Sequence, residues 1–182
     1  MAEIILFNKP YGVLCQFTDP EGRPNLSDYI KTPDFYAAGR LDTDSEGLLV
    51  LTDDGKLQAR ITSPKHKMTK VYLAQVEGVP NESDLGTLRE GIELKDGLTR
   101  PADCRLVEEP EWLWARNPPI RDRKNIPTSW IELKLKEGKN RQVRRMTAAA
   151  GYPTLRLVRI AIGNWNLAEL PTGEQIRTIT ED

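Results

Sequence analysis

The sequence predicts an α+β fold, in which a mixed but mostly antiparallel sheet carries a few flanking helices. Short apolar segments alternate with a period of two and are separated by glycine- and proline-containing turns, which is typical of strands. Helical periodicity is confined to a few short segments. Regular strand–helix–strand alternation, a GxGxxG motif and a P-loop are all missing, which argues against a doubly wound fold. The length of 182 residues fits one domain, 1–182, built as two lobes.

The predicted strands are short and spread along the whole chain. They cover residues 3–7, 13–17, 47–52, 69–77, 112–115, 129–135, 154–162, 165–170 and 175–180, with a hairpin or longer meander over 92–107. In 69–77, Val71 and Leu73 face one way, whereas Tyr72, Ala74 and Val76 face the other. The four tryptophans fit core or lobe packing better than RNA binding.

Predicted helices cover one or two turns in 26–30, then 56–62, 82–91 and 139–150. The last is the strongest, with Asn140 as a cap and Gly151 as a terminator. Its periodicity gathers Val143, Met146, Thr147 and Ala150 on one side, and Arg141, Arg144 and Arg145 on the other. Residues 116–127 read as a loop resembling an insertion.

The composition is ordinary for a soluble globular protein, with 38% hydrophobic and 29% charged residues. No apolar run reaches the roughly 18 residues of a membrane helix, and the first residues do not form a signal peptide. We expect a cytoplasmic protein in which Cys15 and Cys104 are reduced. A single histidine and no clustered ligand set argue against a metal site.

Charge is segregated along the chain although the net charge is only −1. Residues 139–159 contain six basic and no acidic residues, and 60–70 contain four basic and no acidic residues. The carboxylates gather elsewhere, so a one-sided surface for a polyanion is possible. The alternative is that these charge runs are simply solvated faces.

Two glycines bracket a polar segment, 38–47, that runs into an apolar strand. Functional side chains are often held on a loop fixed by a rigid element in this way. Two other interpretations compete at this point. The carboxylates have partial calcium-loop spacing, with Asp42, Asp44, Glu46 and Gly47 at positions 1, 3, 5 and 6. Alternatively, they only cap turns.

Five motifs in order decide between these interpretations: NKPYGV (8–13), GRLDTDSEGLL (39–49), KVY (70–72), EGKNRQVRRM (137–146) and LVRIAIG (157–163). This series resembles the pseudouridine synthases of the RsuA/RluB/RluE/RluF group, and is most similar to the RluE branch, over nearly the whole chain. The resemblance implies the pseudouridine synthase fold with a central cleft. It also implies a catalytic domain without the S4-type RNA-binding domain that is common in the group.

The resemblance implies a role for five residues. Asp42 is the essential aspartate, Tyr72 stacks on the target base and Arg144 pairs with the catalytic carboxylate. Arg40 enters the RNA stem where the flipped uridine was, and Leu157 packs beneath the base. Two further acidic residues, Asp44 and Glu46, follow Asp42. They then serve the architecture of the loop and not its chemistry.

The chemistry is consistent with these roles. Uridine must lose its N1–C1′ bond, turn and rejoin through C5, which needs no cofactor and no net redox change. One carboxylate can attack C1′ or C6, or remove a proton at C2′. A close arginine favours its ionised form.

The expected substrate is ribosomal RNA, in a stem-loop of the large subunit, and the protein is expected to be monomeric, without metal or membrane contact. Further RNA contacts are predicted for basic residues around the cleft, at Lys70, Lys139, Arg141, Arg145 and Arg159. The alternatives are an RNA-binding module of the same fold without catalysis, and a calcium-binding or hydrolase-like domain.

Overall fold

The computed structural model describes residues 1–63, 65–66 and 68–180. Its strands are β1 (Glu3–Lys9), β2 (Tyr36–Ala38), β3 (Glu46–Thr52), β4 (Lys70–Glu77), β5 (Glu93–Leu94), β6 (Gly97–Leu98), β7 (Asp103–Val107), β8 (Thr128–Leu135), β9 (Thr154–Ile162), β10 (Trp165–Asn166) and β11 (Gln175–Ile179). Its helices are α1 (Gly55–Thr62), α2 (Glu82–Glu90) and α3 (Gln142–Ala149), with a 3₁₀ turn at Leu26–Asp28. None of the described helices is long and apolar enough to cross a membrane.

In the part of the chain that the structure describes, nine strands form one sheet in the order β11-β1-β3-β9-β4-β8-β7, with β2 beside β3 and β10 beside β9. All pairings are antiparallel except β3 with β9, which run parallel over two residue pairs, Glu46 with Val158 and Gly47 with Arg159. This short parallel contact joins the two halves of the sheet. The predicted α+β class and mixed, mostly antiparallel sheet are confirmed.

The core follows from the alternation of side chains along the strands. In β1 and β3, Ile4 and Leu48 pack into one apolar cluster with α1, whereas Ile5 and Leu49 pack into another on the opposite face. A third cluster lies beneath α2 and α3. The predicted faces of β4 are confirmed, because Leu73 joins the first cluster and Ala74 and Val76 join the third.

The start of α3 corrects the predicted cap. The helix begins at Gln142, and Arg141 before it is left-handed at φ 51°, with no side-chain cap. Asn140 therefore lies outside the helix. Val143, Met146 and Thr147, which the periodicity places on one side of the helix, are all buried.

Three predicted strands are wrong in whole or in part. Residues 13–17 form only an isolated bridge from Leu14 to Asn25, because this segment bonds to the following loop. Residues 112–115 are irregular, and of 165–170 only β10 is a strand. Among the tryptophans, Trp130 is buried as predicted, but Trp112 is 53% exposed.

Candidate active site

Asp42 lies on the loop between β2 and β3, which the neighbouring strands hold on both sides. The amide of Ser45 donates to the Asp42 carbonyl at 3.0 Å, and the amide of Gly12 donates to Thr43 at 2.8 Å. The Asp42 side chain is 43% exposed. A tight, braced loop therefore presents a carboxylate to solvent.

A cavity of about 570 Å³ opens beside this loop, where the two halves of the sheet meet. Its walls come from the Asp42 loop, from β4 and β9, and from the segment that leads into α3. It brings together eight of the predicted site residues: Arg40, Asp42, Lys70, Tyr72, Lys139, Arg141, Leu157 and Arg159. Arg144 and Arg145 are not among the residues that line it.

The arginine in contact with Asp42 is Arg141, whereas the resemblance implied Arg144. Arg141 Nη1 lies 3.2 Å from Asp42 Oδ2 and 3.0 Å from Asp44 Oδ1, and its Nη2 donates to Asp44 Oδ2 at 2.8 Å. The left-handed backbone at Arg141 turns this side chain towards the loop. These hydrogen bonds hold the pKa of Asp44 below its usual range.

Arg144 braces the loop from within the protein. Its Nη2 donates to the carbonyl of Asp44 at 2.7 Å, and its Nε, 3.7 Å from Asp44 Oδ2, has no hydrogen-bond partner in the described structure. Burial lowers the pKa of Arg144, partly offset by the carboxylates of Asp44 and Asp42. Arg144 therefore supports the loop through Asp44 and makes no direct hydrogen bond to Asp42 in the described structure.

The structure does not support a phosphate contact for Arg159. Its side chain is buried, and its guanidinium donates to the carbonyls of Leu48 at 2.9 Å and Gly39 at 2.8 Å. Arg159 instead ties β9 to the two ends of the Asp42 loop. Lys70 beside it has a lowered pKa, first because of burial and then because of the charge of Arg159.

Lys139 and Arg145 both meet Asp96. Lys139 donates to the Asp96 carbonyl at 3.2 Å, and Arg145 pairs with the Asp96 carboxylate through two bonds of 2.8 and 3.1 Å. Arg145 is therefore engaged away from the cavity. Lys139 still lines the cavity, next to the strand end that carries Lys70.

Lys9 supports the Asp42 loop from behind, a role that the sequence did not predict. It is fully buried at the end of β1, and its Nζ donates to the carbonyls of Val13 at 2.8 Å, Pro10 at 3.0 Å and Thr43 at 3.4 Å. Burial lowers its pKa to about 8, although nearby carboxylates including Asp42 oppose the shift. The sequence signal that could have indicated this role is a lysine at the end of an apolar strand.

Glu46 forms a buried network directly after the loop. Arg156 binds it through two bonds of 2.8 and 3.0 Å, and Trp114 Nε1 donates to it at 2.8 Å. The prediction that Glu46 is architecture agrees with this network. The calcium-loop alternative lacks its flanking helices, because β2 precedes and β3 follows the segment.

The comparisons with known proteins decide the family. A model of the RNA pseudouridylate synthase family matches residues 3–149. The chain belongs to this family. A relative from Vibrio vulnificus (strain CMCP6), named Ribosomal large subunit pseudouridine synthase E, is 58% identical over 172 residues, which is 94% of this chain and 73% of the relative.

Two further comparisons agree. A protein of the same name from Xanthomonas axonopodis pv. citri (strain 306) is 57% identical over 169 residues, covering 92% of this chain and 89% of the relative. A crystal structure described as a pseudouridylate synthase superposes with a TM-score of 0.81 at 30% identity, covering 98% of this chain and 71% of that one. The chain is thus an RNA pseudouridine synthase, with the fold of that family.

In this pseudouridine synthase, the cavity brings the Asp42 carboxylate together with an aromatic ring, an aliphatic side chain and several cations. Asp42, Tyr72 and Leu157 line the same cavity. Buried charges lie behind the loop, and exposed charges lie at the rim. Such a cavity can enclose an uncharged base while its rim meets phosphates.

Proposed function

We propose that this enzyme isomerises one uridine in a stem-loop of large-subunit ribosomal RNA to pseudouridine, with Asp42 as the essential carboxylate. The observation that carries this proposal is the exposed Asp42 side chain in a cavity that also contains Tyr72 and Leu157. Relatives at 57 and 58% identity that are named for the ribosomal large subunit support the substrate.

The reaction breaks the N1–C1′ bond and forms a C5–C1′ bond. N1 ends with a proton and C5 loses one, so atoms and electrons balance without a cofactor. Asp42 acts either as a nucleophile at C1′ or C6, or as a base at C2′. Each route requires an ionised carboxylate. Arg141 pairs with this carboxylate at 3.2 Å, and Arg144 donates to the backbone of the same loop.

The base is held between Tyr72 and Leu157. Stacking of a base on an aromatic ring contributes about 1–3 kcal/mol, which helps to offset the few kcal/mol that extrusion from a stem costs. Tyr72 is half-buried on β4, and Leu157 is buried on β9.

Arg40 occupies the space that the extruded uridine leaves, since it is exposed and lines the same cavity. Lys70, Lys139 and Arg141 meet phosphates at the cavity rim. We further propose that the enzyme acts as a monomer in the cytoplasm, where ribosomal RNA is available.

Pseudouridine mapping of ribosomal RNA tests the proposed substrate. Cells with and without this protein are compared at single-nucleotide resolution, and restoration of the gene is the control. We expect one large-subunit uridine to lose its modification and to regain it on restoration. An unchanged map would contradict the proposal and favour a module that binds RNA without catalysis.

The mapped stem-loop then allows a test of Arg40 with purified protein. We expect Arg40→Ala to slow modification of the base-paired target and to affect an unpaired version much less. The wedge role fails if the two substrates lose the same fraction of their rate.

A further inference from the structure

A second cavity adjoins the first at the Asp42–Arg141 ion pair. It measures about 300 Å³ and is lined by Tyr11, Gly12, Asp42, Thr43, Asp44 and Arg141. Asp42, Thr43 and Arg141 also line the larger cavity, so the two spaces meet at the catalytic loop. The volume lies at the lower end of the range for ligand pockets, about 300–1,000 Å³.

An arginine side chain lies over the aromatic ring that lines this second cavity. The guanidinium carbon of Arg116 lies 4.1 Å from the centre of the Tyr11 ring. Arg116 also donates to the carbonyls of Pro118 at 2.8 Å and Leu155 at 3.4 Å, which fix its orientation. The result is a preorganised pair of planar groups next to the catalytic loop.

The segment that supplies Arg116 is anchored to the catalytic loop from a second direction. Trp114 donates to Glu46 at 2.8 Å, and Arg156 donates to the Trp114 carbonyl at 2.9 Å. The Tyr11–Gly12 turn is tied to the loop by the Gly12–Thr43 hydrogen bond of 2.8 Å. Tyr11 and Arg116 are thus both held in a fixed position relative to Asp42.

We propose that Tyr11 and Arg116 form a second RNA subsite, which holds a nucleotide adjacent to the target uridine. The inference rests on the proposed function. A uridine in the larger cavity stays bonded to its neighbours through phosphodiesters, and the second cavity opens at the same carboxylate, Asp42, within reach of an adjacent nucleotide. A guanidinium stacked on an aromatic ring offers a planar face to a base and N–H donors to a phosphate.

Binding of synthetic stem-loops tests the subsite. The probes contain the mapped uridine, with one abasic nucleotide at each of the two positions on either side. We expect Arg116→Met to weaken binding of the intact RNA roughly tenfold, the order of one base-stacking contact. The exposed Arg105, at the far edge of the sheet, supplies the control Arg105→Met for general loss of a positive charge.

The decisive result is energetic coupling, in which the effect of an abasic nucleotide on binding depends on whether Arg116 is present. At one flanking position, the abasic change should weaken binding to the wild-type protein but add nothing in Arg116→Met. Tyr11→Phe should keep the coupling, because the aromatic ring remains. Arg116→Lys should lose the coupling, because it preserves the positive charge but not the planar guanidinium group. Independent penalties at all four positions, or equal effects of Arg116→Met and Arg105→Met, would overturn the subsite.

Turnover of the same RNA by the wild-type protein separates the two proposals. If the wild-type protein isomerises the RNA but no coupling is found, only the subsite fails. If it makes no pseudouridine in the mapped stem-loop, the proposed function fails. Thermal unfolding of each variant distinguishes a folding defect from a binding defect.

Discussion

At the level of single residues, the site contains an exposed arginine at the cavity and largely buried arginines that hold the protein together. Arg141 is exposed and pairs with two carboxylates, whereas Arg144 and Arg159 donate to backbone carbonyls of the catalytic loop. The sequence marks all three as basic residues of one motif series, but it does not show which are buried. That distinction depends on the left-handed turn at Arg141 and on where β9 passes the loop.

Substitution of Arg141 and of Arg144 should therefore have different effects. We expect Arg144→Met to lower kcat about 100-fold with little change in RNA affinity, because it removes a charge-assisted bond to the loop, worth about 1.5–3 kcal/mol, and a charge near Asp42. Arg141→Met should weaken RNA binding about tenfold at low salt and less at high salt. Single-turnover rates and binding titrations measure the turnover and the RNA affinity of each variant. If Arg141→Met lost turnover and Arg144→Met lost only affinity, Arg141 would be the catalytic partner.

The buried Lys9 makes stability depend on pH. Its folded-state pKa of about 8 lies below the ordinary lysine value of 10.5, so between these values the unfolded chain binds more protons than the folded chain. Stability therefore rises with pH across this window. We expect the wild-type protein to gain about 2 kcal/mol relative to Lys9→Met from about pH 7.5 to 9.5, measured by denaturant unfolding.

The exposed Lys56 provides the control for this measurement. The difference in unfolding free energy between the wild-type protein and Lys56→Met should stay nearly constant over the same pH range. A constant difference for Lys9→Met as well would show that Lys9 titrates normally.

At the level of elements, the contact between β3 and β9 fixes the Asp42 loop. Gly47 lies at φ +108°, and a Cβ there would fall 2.2 Å from the carbonyl oxygen of Arg159. β3, α1, α2 and β8 were predicted from the sequence nearly to their ends, because local periodicity and caps define them. Residues 112–115 were mispredicted because their contacts, such as Trp114 with Glu46, lie far apart in sequence. Residues 13–17 were mispredicted because they bond to the loop that follows them instead of to a neighbouring strand.

Gly47→Ala should destabilise the protein by about 3 kcal/mol or more, since both the backbone conformation and the neighbouring strand exclude a side chain. Gly86, in α2, is the matched control, because its φ is not positive and a Cβ there meets nothing within 4 Å. Gly86→Ala should stabilise by about 0.5–1 kcal/mol. Thermal or denaturant unfolding measures both, and a tolerated Gly47→Ala would refute the close approach of β3 and β9.

In the whole molecule, the two halves of one sheet meet at the cavity that contains Asp42. The order of motifs along the chain predicted the family and most of the cavity residues, because the motifs lie on elements that converge there. Composition could not do so, since the net charge of −1 hides a local basic rim. The sequence did not predict the partners of Arg145 and Arg159. Arg145 pairs with Asp96 and Arg159 donates to the carbonyl of Gly39, and both contacts are set by tertiary packing.

We propose that Asp42 performs the chemistry in a groove that binds RNA independently of it. The most direct test compares Asp42→Asn with the wild-type protein in pseudouridine formation and in RNA affinity, with circular dichroism as the check on folding. Asparagine preserves the shape of the side chain but removes its charge and basicity. We predict complete loss of turnover with affinity within about threefold of wild type, a change of under 1 kcal/mol. Retained turnover in Asp42→Asn would contradict the claim.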